Sequence, residues 1–392
     1  MRSVKDEINL SEKKILLRLD LNVPLDNGKI TDTTRIDKII PTINFLLKNN
    51  TKIIILSHIG RPKSKIVDEL SLKPVCENLK NKINENVRLI TKNLREIETT
   101  DLFNNPDEKV VMLENLRFYE EEEKNNIKFA KHLARLADIY VNEAFSCSHR
   151  AHASIFEITK FLPSYAGLQF SLEINALTKI TSNIKKPITC IIGGSKISTK
   201  INIIKNLIPK FDNIVIVGGM ANNILKYQGH NIGKSIQEDD CDKIIEEIFS
   251  LSKKKSCRII YPDDVAVGKN LNGPSEIKEL NDILEDELIL DIGPRSIKNI
   301  NNIIEESSTI LWNGPAGYFE NPNFAKGSFE IAKKIVEKNK ANTVYSVAGG
   351  GDTVALLNSI GAVNNFNFVS TAGGAFLEYL EGKELHGIKA LN

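Results

Sequence analysis

The sequence lacks a strong excess of charge of either sign. Its 52 lysine and arginine residues nearly balance 50 aspartate and glutamate residues, so the formal net charge is only +2. Aromatic residues make up 6% of the chain, with a single tryptophan. Proteins that bind nucleic acid usually combine a large basic surface with aromatic stacking. A nucleic-acid partner is therefore not expected, and any anionic partner should be small and locally bound.

Long hydrophobic runs and closely spaced cysteines are also missing. No apolar stretch approaches the roughly 18 residues that cross a bilayer, and the charged residues Lys5, Asp6 and Glu7 interrupt a segment that would be apolar in a secretory signal. The five cysteines are scattered and none forms a CxxC pair. These absences predict a cytoplasmic protein that has no membrane partner, keeps its thiols reduced and has no zinc site.

The dominant pattern is a short apolar run, a polar or glycine-rich turn and a segment with helical spacing, repeated along the chain. This pattern predicts an α/β protein with mostly parallel sheets. With 392 residues and 41% hydrophobic content, two doubly wound domains flanked by helices are expected. We expect strands at residues 14–19, 52–57, 87–90, 110–113 and 139–141 in the first half, and at 188–192, 214–217, 258–261, 288–291, 309–312, 343–347 and 366–369 in the second. A helix-like run within 167–184 would join the domains.

Arginines and histidines follow the predicted strands of the first half. Arginine accounts for only 11 of the 52 basic residues, and its planar fork suits carboxylate and phosphate better than lysine does. Ligands of open α/β sheets bind at the carboxyl ends of the strands. A single arginine or histidine is more often a solvated or structural residue, but recurrence at successive strand ends favours an anion site. Its candidate residues are Asp20, Asn22, Arg35, His58, Arg61, Arg117, His149 and Arg150.

Glycine-rich turns follow the predicted strands of the second half, at residues 193–196, 218–221, 313–317, 349–353 and 371–375. Backbone can approach a ligand closely at glycine, and amides at a helix start favour phosphate. Lys196 and Lys200 are four residues apart, so they would share one face of a helix. The Asp352 carboxylate suits a Mg²⁺ ion that bridges nucleotide phosphates. None of the turns fits the Walker or dinucleotide patterns, and a lone glycine pair is usually only a tight turn.

Eight segments, in this order, carry a resemblance to a known family: RLDLNVPL, SHIGRP, LENLRF, SHRAHAS, GGSKISTK, WNGPAGYFE, AGGGDT and STAGGAFLEYLEGKELHGI. The chain resembles the phosphoglycerate kinases from about Lys14 to the carboxyl terminus. The resemblance implies reversible phosphoryl transfer from 1,3-bisphosphoglycerate to Mg-ADP, which yields 3-phosphoglycerate and ATP. It also implies a monomer with a cleft between its domains, which close about the hinge helix before direct in-line transfer.

The resemblance also implies the domains and the roles of individual residues. Residues 1–169 would bind the acid substrate, 170–375 the nucleotide, and 376–392 would pack back on the first domain. The substrate residues would be Asp20, Leu21, Asn22, Arg35, His58, Ile59, Gly60, Arg61, Arg117 and Arg150. The nucleotide residues would be Gly194, Lys196, Lys200, Gly218, Asn313, Glu320, Gly350, Gly351, Asp352 and Thr353, with Glu320 at the ribose and Asp352 at the metal. The catalytic residues would be Arg35, Lys196, Gly373 and Gly374.

The sequence departs from the family pattern at Ser146-Cys147-Ser148, Ser195 and Ala372. These changes leave the charged groups intact, but Cys147 would bring an oxidisable thiol near the substrate pocket. Two other functions stay open at this point: a different phosphotransferase or nucleotide-dependent ligase that uses another small acid, and a non-catalytic anion-binding protein. Loss of Arg35, Lys196 or Asp352 would favour the latter, and all three residues are present.

Overall fold

The computed structural model describes residues 1–392 and divides into two compact units. The first unit consists of Met1–Asn175 and Glu384–Asn392, and the second consists of Ala176–Lys383. None of the helices has the length and apolar character that a membrane crossing requires.

A six-stranded sheet forms the centre of the first unit. Its strand order is β5-β6-β4-β1-β7-β8 and every neighbouring pair is parallel. The strands predicted in this half are confirmed, and the structure adds the last strand and a short hairpin, β2 with β3. The strands are β1 (Lys14–Arg18), β2 (Leu25–Asp26), β3 (Lys29–Ile30), β4 (Lys52–Leu56), β5 (Val87–Ile90), β6 (Val110–Leu113), β7 (Ile139–Asn142) and β8 (Ser164–Ala166).

Both faces of this sheet are buried, which explains why its strands are continuously apolar rather than alternating. Ile15 and Leu17 pack into the core on one face, and Leu16 packs into the core on the other. Helices on the two faces complete these cores. The helices of the first unit are α1 (Thr34–Lys48), α2 (Lys73–Ile83), α3 (Glu120–Glu123), α4 (Ile127–Ala134) and α5 (Leu168–Thr181), which continues into the second unit, with α13 (His386–Lys389) at the carboxyl terminus.

The second unit has its own six-stranded parallel sheet, in the order β11-β10-β9-β15-β16-β17. Its central strands β9 and β15 are buried at every position. The glycine-rich turns follow strands of this sheet and therefore lie at one edge of it. The strands are β9 (Ile188–Ile192), β10 (Asn213–Ile216), β11 (Arg258–Ile260), β15 (Thr309–Asn313), β16 (Tyr345–Gly349) and β17 (Phe368–Ser370).

One predicted strand of the second unit lies in a different sheet. We expected residues 288–291 to join the parallel sheet, but β14 (Leu288–Ile292) belongs to an antiparallel sheet of three strands with β12 (Asp264–Gly268) and β13 (Glu276–Glu279). The prediction was wrong because neither partner strand was recognised: β13 has three charged residues among four, and β12, although apolar at its three central positions, is only five residues long. Their pairing with β14 depends on residues distant from it in sequence.

Helices flank both sheets of the second unit. They are α6 (Ile201–Leu207), α7 (Gly219–Tyr227), α8 (Asp242–Lys255), α9 (Pro294–Glu306), α10 (Lys326–Lys340), α11 (Gly351–Ser359) and α12 (Gly374–Leu380). Helix α12 packs on α6, where Asn206 Nδ2 donates to the carbonyl of Leu380 at 2.7 Å. Residues 376–383 therefore belong to the second unit, whereas the sequence-based limits assigned 376–392 to the first domain. The structural boundary on α5 lies between Asn175 and Ala176.

Helix α5 begins against a buried carboxylate. Glu143 follows β7 and accepts hydrogen bonds from the backbone amides of Gln169 at 2.9 Å and Phe170 at 2.8 Å, and from the Thr42 hydroxyl of α1. Burial raises the pKa of Glu143 to about 7, although these donors oppose the shift. The carboxylate satisfies amides that have no acceptor within the helix. The start of α5 is therefore fixed to the first unit by one side chain.

Replacing this side chain should destabilise the protein. Glu143→Ala leaves two buried amides unpaired, so at about pH 5 we expect a loss of about 2 kcal/mol in the free energy of unfolding, measured with urea. The difference in unfolding free energy between wild type and Glu143→Ala should shrink as the pH rises from about 4.5 to about 7. The raised pKa means that the folded wild type binds the Glu143 proton more tightly than the unfolded chain does, and this stabilisation is lost as the proton dissociates. Glu69→Ala, at an exposed position, is the control. Equal effects of both substitutions would contradict this role.

Candidate functional site

The first half of the site forms around Asp20, just beyond β1. Its carboxylate accepts hydrogen bonds from the Arg35 guanidinium in the first turn of α1 and from the Ser146 hydroxyl. The backbone amide of Asn22 donates to the same carboxylate at 3.1 Å. Asp20 therefore joins residues from three separate segments of the chain. The Arg35 side chain keeps 35% of its surface exposed, so solvent or a ligand can reach it.

A second set of contacts holds the loop that follows β4. Asn22 Oδ1 accepts from the amide of Gly60 at 2.8 Å, and Arg117 Nη1 donates to the carbonyl of Gly60 at 2.9 Å. Asn115 Nδ2 donates to the carbonyl of Ile59 at 2.8 Å. Gly60 has a φ of +65°, in the left-handed region that favours glycine. The structure thus brings Asn22, Gly60 and Arg117 together.

The other predicted substrate residues contribute differently. Leu21 and Ile59 are buried in the hydrophobic core, so only their backbone groups are available to a ligand. Arg150 Nε donates to His149 Nε2 at 3.1 Å, and its charge acts on the nearby Arg117. Arg61 is exposed and forms no hydrogen bond or ion pair within the protein. The structure therefore does not tie Arg61 to the cluster.

The cationic groups of this cluster are buried without full compensation. Burial, followed by the charges of Arg18 and Arg117, lowers the pKa of His58 well below its usual value. Burial also lowers the pKa of Arg117, whose Nε is enclosed and has no hydrogen-bond partner but forms an ion pair with Glu123 Oε1 at 3.6 Å. Buried donors that lack acceptors carry a cost that a bound anion would remove. The electrostatics therefore favour a small anion in this corner.

The same corner contains a group of residues that could bind metal. Ligand atoms of Asp20, His58 and Cys147 lie within 4.8 Å of one another. The charges of Arg18 and Arg117 act on both His58 and Cys147, and Arg35 already pairs with Asp20. These guanidinium groups would repel a divalent cation, so we interpret the corner as an anion site. Burial, followed by the charge of Asp20, raises the pKa of the Cys147 thiol, which keeps it protonated at neutral pH.

The second half of the site lies where β9 and β15 end, in the second unit. Glycines allow the two turns to touch: a Cβ on Gly193 would lie 2.3 Å from the carbonyl oxygen of Pro315, and Gly314 has a φ of +110°. Lys200 Nζ donates to Asn313 Oδ1 at 2.6 Å, and Asn313 Nδ2 donates to the carbonyl of Gly349 at 2.6 Å. Asn313 thus links the half-buried lysine to the turn that follows β16.

The turn after β16 leads directly into helix α11. Gly350 has a φ of +96°, and a Cβ there would lie 2.5 Å from Asn313 Nδ2. Thr353 accepts from the amide of Gly314 at 2.6 Å. Asp352 is exposed in the first turn of α11, and its carboxylate has no hydrogen-bond or ion-pair partner in the protein. An exposed carboxylate beside amides that suit phosphate fits a Mg²⁺ ion that keeps several waters.

A cavity of about 580 Å³ adjoins these turns. Its lining includes the glycine-rich turns at Gly194 and Gly218, the exposed acids Glu320 and Asp352, and apolar side chains such as Leu290. The Tyr318 amide donates to the carbonyl of Leu290 at 2.7 Å, which holds the segment that precedes Glu320 against β14. A mostly apolar cavity that ends at a phosphate-binding edge suits a nucleotide.

Three predicted residues of this half lie apart from those contacts. Lys196 is exposed outside the cavity lining, and Gly373 and Gly374 stand at the start of α12 with no contact to the Asn313 network. We expected Lys196 and Lys200 on one face of a helix, and this was wrong. Helix α6 begins only at Ile201, because a turn in which the Lys200 amide donates to the carbonyl of Ile197 at 3.0 Å precedes it.

Sequence reasoning missed three buried polar residues near these sites. Arg18 contacts His58, Asn115 holds the loop at Ile59, and Asp291 lines the cavity with its pKa raised to about 7 by burial. Arg18 carried a usable signal, since it is one of the few arginines and ends an apolar strand. Asn115 also carried one, since it follows a predicted strand and lies in the LENLRF segment, whereas the role of Asp291 depends on backbone groups from other segments.

A buried cationic corner in one unit suits a small anionic substrate, and a glycine-lined edge with a lysine and a free carboxylate in the other suits Mg-nucleotide. These features define an α/β phosphotransferase that acts on a small acid.

Comparisons with known proteins agree with this class. The protein-family model described as "Phosphoglycerate kinase" matches residues 5–383. A phosphoglycerate kinase of Methylorubrum extorquens strain PA1 is 44% identical over 392 residues, which cover 100% of this chain and 98% of the relative. A phosphoglycerate kinase of Bradyrhizobium diazoefficiens is 44% identical over 388 residues, which cover 98% of this chain and 97% of the relative. The structure of phosphoglycerate kinase from Coxiella burnetii matches with a TM-score of 0.91 and 37% identity, covering 98% of this chain and 97% of that chain.

The chain belongs to the phosphoglycerate kinase family. It is accordingly a kinase of glycolysis, and the resemblance inferred from its motifs is confirmed.

Adding a side chain at Gly350 should weaken nucleotide binding. Gly350→Ala introduces a Cβ against Asn313 Nδ2 and strains a left-handed backbone, so we expect ADP to bind about tenfold more weakly by calorimetry. Gly361→Ala is a matched control, since its φ is +66° but nothing lies within 4 Å of the added Cβ. Backbone strain alone would weaken binding equally in both variants, and that result would contradict the contact with Asn313.

Proposed function

We propose that the protein transfers a phosphoryl group directly from 1,3-bisphosphoglycerate to Mg-ADP, with the acid bound in the first unit and the nucleotide in the second. The observation that carries this division is the group of guanidinium side chains around Arg117 in one unit, where Arg117 Nε has no hydrogen-bond acceptor and only a 3.6 Å ion pair with Glu123, together with the free Asp352 carboxylate beside a glycine turn in the other unit. The guanidinium groups around Arg117 favour an anionic ligand, and the Asp352 carboxylate favours a cation. No covalent phosphoenzyme is required.

On this proposal the acid is held by the residues of the first unit. Arg117, Arg150 and the Nε2 side of His58 would hold the carboxylate or phosphate groups, and Asp20 and Asn22 would orient Arg35 and the loop at Gly60. The exposed Arg61 side chain, which no other residue of the protein holds in place, would contribute a further positive charge to substrate binding. The backbone of Leu21, Ile59 and Gly60 would complete the pocket.

The nucleotide would occupy the cavity of the second unit. Glu320 would bind the ribose, and Lys200 and Asn313 the phosphates, together with backbone groups of Gly194, Gly218, Gly350, Gly351 and Thr353. Mg²⁺, held by Asp352 and the phosphates, would neutralise part of their charge when bound. Lys196 and the amides of Gly373 and Gly374 would stabilise the transferred group.

Transfer needs alignment and positive charge around the phosphoryl oxygens rather than covalent help from the protein. We propose that Arg35 and Lys196 provide this charge after the domains close, since closure excludes the water that would hydrolyse an acyl phosphate. We also propose that the enzyme acts as a monomer in the cytoplasm.

A coupled assay tests the reaction directly. Purified protein should form ATP from 1,3-bisphosphoglycerate and ADP in the presence of Mg²⁺, and the activity should fall to background when a chelator removes the metal. Restoring Mg²⁺ should restore it. ATP formation that is indifferent to the chelator would contradict the role of the metal, and no ATP formation with Mg²⁺ present would contradict the reaction itself.

Arg35 and Lys196 should each affect the chemical step. Arg35→Ala and Lys196→Ala should each lower kcat at saturating substrates by about 100-fold or more, because each removes charge that acts in the transition state. Arg95→Ala and Lys226→Ala remove charges at exposed positions of the same units and should have little effect. Near-normal turnover of Arg35→Ala would overturn its role, and a loss confined to the nucleotide KM would make Lys196 a binding residue only.

A further inference from the structure

Arg18 is a fully buried arginine beneath the predicted substrate corner. It is the last residue of β1, between β4 and β7, and it is 0% exposed. All three nitrogens of its guanidinium group have acceptors. Nε donates to Ser154 Oγ at 2.8 Å, Nη1 donates to the carbonyl of Leu19, and Nη2 lies 3.1 Å from His58 Nδ1.

The orientation of Arg18 is fixed by a buried acid. Glu122 is also 0% exposed, and its carboxylate lies 3.9 Å from Arg18 Nη2. The same carboxylate accepts from the Ser154 hydroxyl at 2.6 Å and from the Ser154 amide at 2.9 Å. Because the Ser154 hydroxyl donates to Glu122, its lone pairs are left to accept from Arg18 Nε. The network therefore allows the guanidinium fork only one direction.

The contact between Arg18 and His58 determines the proton position on the imidazole ring. A guanidinium group has donors but no acceptor, so His58 Nδ1 must accept with its lone pair. A proton on Nδ1 would set two N–H groups against each other at 3.1 Å. The neutral ring must then carry its proton on Nε2. The Arg18 contact therefore fixes the tautomer through the protein geometry.

The opposite side of the ring faces the substrate corner. The Arg18 contact uses only Nδ1, which leaves Nε2 as the other polar atom of a ring that is only 2% exposed. A ring nitrogen of His58 lies within 4.8 Å of both the Asp20 carboxylate and the Cys147 sulfur. A proton on Nε2 makes this nitrogen a directed donor for an anionic ligand.

We propose that Arg18 is a positioning residue that fixes His58 as a neutral imidazole whose Nε2–H donates to an anionic group of the acid substrate. The second part rests on the proposed substrate role of His58, whereas the tautomer itself depends only on the Arg18 network. Arg18 does not touch the substrate in this arrangement.

The surroundings of His58 keep it from becoming an imidazolium ion. Arg18 comes from β1, Arg35 from α1 and Arg117 from the segment after β6, and their charges all oppose protonation, whereas His152, from the segment after β7, has its own pKa lowered to about 3 and is neutral between pH 6 and pH 8. Asp20 and Cys147 face the same ring; Asp20 pairs with Arg35, and the Cys147 thiol stays protonated. The hydrogen bond that His58 donates to the substrate should therefore keep the same strength between about pH 6 and pH 8.

Nitrogen NMR of the intact protein labelled with ¹⁵N-histidine tests the tautomer. The chain has six histidines, and the spectrum of His58→Gln identifies the resonances of His58 by their loss. We expect Nδ1 to show the shift of an unprotonated ring nitrogen and Nε2 that of an N–H, with no titration between about pH 6 and pH 8. A proton on Nδ1, or formation of the imidazolium ion in this range, would overturn the proposal.

A charge-conserving substitution tests the positioning role. The single ammonium group of Arg18→Lys cannot reach Ser154, Leu19 and His58 together, so both tautomers should appear and the KM for 3-phosphoglycerate should rise about tenfold, with a smaller change in kcat. Arg88→Lys is the control, because Arg88 likewise binds a carboxylate, Glu108, and a carbonyl, that of Leu102, but outside the site.

The outcomes separate the two parts of the proposal. If Arg18→Lys does not fold, the wild-type spectrum still decides the tautomer. A wild-type KM that is unchanged in His58→Gln would overturn the substrate role of His58, whatever its tautomer. Equal effects of Arg18→Lys and Arg88→Lys on KM would overturn the positioning role of Arg18.

Discussion

The whole arrangement depends on parallel sheets whose two faces are both buried. Ile15 and Leu17 enter one core while Leu16 enters the other, so the strands themselves offer no surface to a ligand. Only the carboxyl ends of the strands remain for polar chemistry. Asp20 and His58 follow neighbouring strands of the first unit, and Asn313 ends a central strand of the second. Residues distant in sequence meet there because the sheet order brings their strands together.

Burial of positive charge is the second constraint on the first unit. Arg18 lies 3.9 Å from Glu122, Arg35 is held by Asp20, and Arg117 lies 3.6 Å from Glu123, although its Nε has no hydrogen-bond acceptor. The guanidinium groups of this unit are thus only partly compensated by carboxylates. Such an arrangement is costly without a ligand and selects an anion with several acceptors. The positive charge of these guanidinium groups also explains why Asp20, His58 and Cys147, although close together, are not a favourable site for a cation.

The second unit relies on close backbone packing instead of charge. The turns at Gly193 and Gly314 touch, and the added Cβ of any other residue would collide with backbone atoms there. Asn313 then spans the gap between Lys200 and the carbonyl of Gly349. Lys200 is consequently half-buried, and burial lowers its pKa, whereas Lys196 is exposed. Membership of the phosphoglycerate kinase family explains why both kinds of site occur in one chain.

The sequence by itself determined the fold class, nearly all strands of the parallel sheets, and the family, because apolar runs and ordered motifs are local signals. Only the tertiary structure decided that residues 288–292 leave the parallel sheet, that Lys196 and Lys200 precede their helix, and that Arg18 faces His58. The strand depends on β12, and Arg18 on Ser154 and Glu122, which are distant in sequence; the lysines depend on a local turn whose Ile197 is packed into the core. Hydrogen-bond partners across such separations are set by packing, which composition and spacing do not encode.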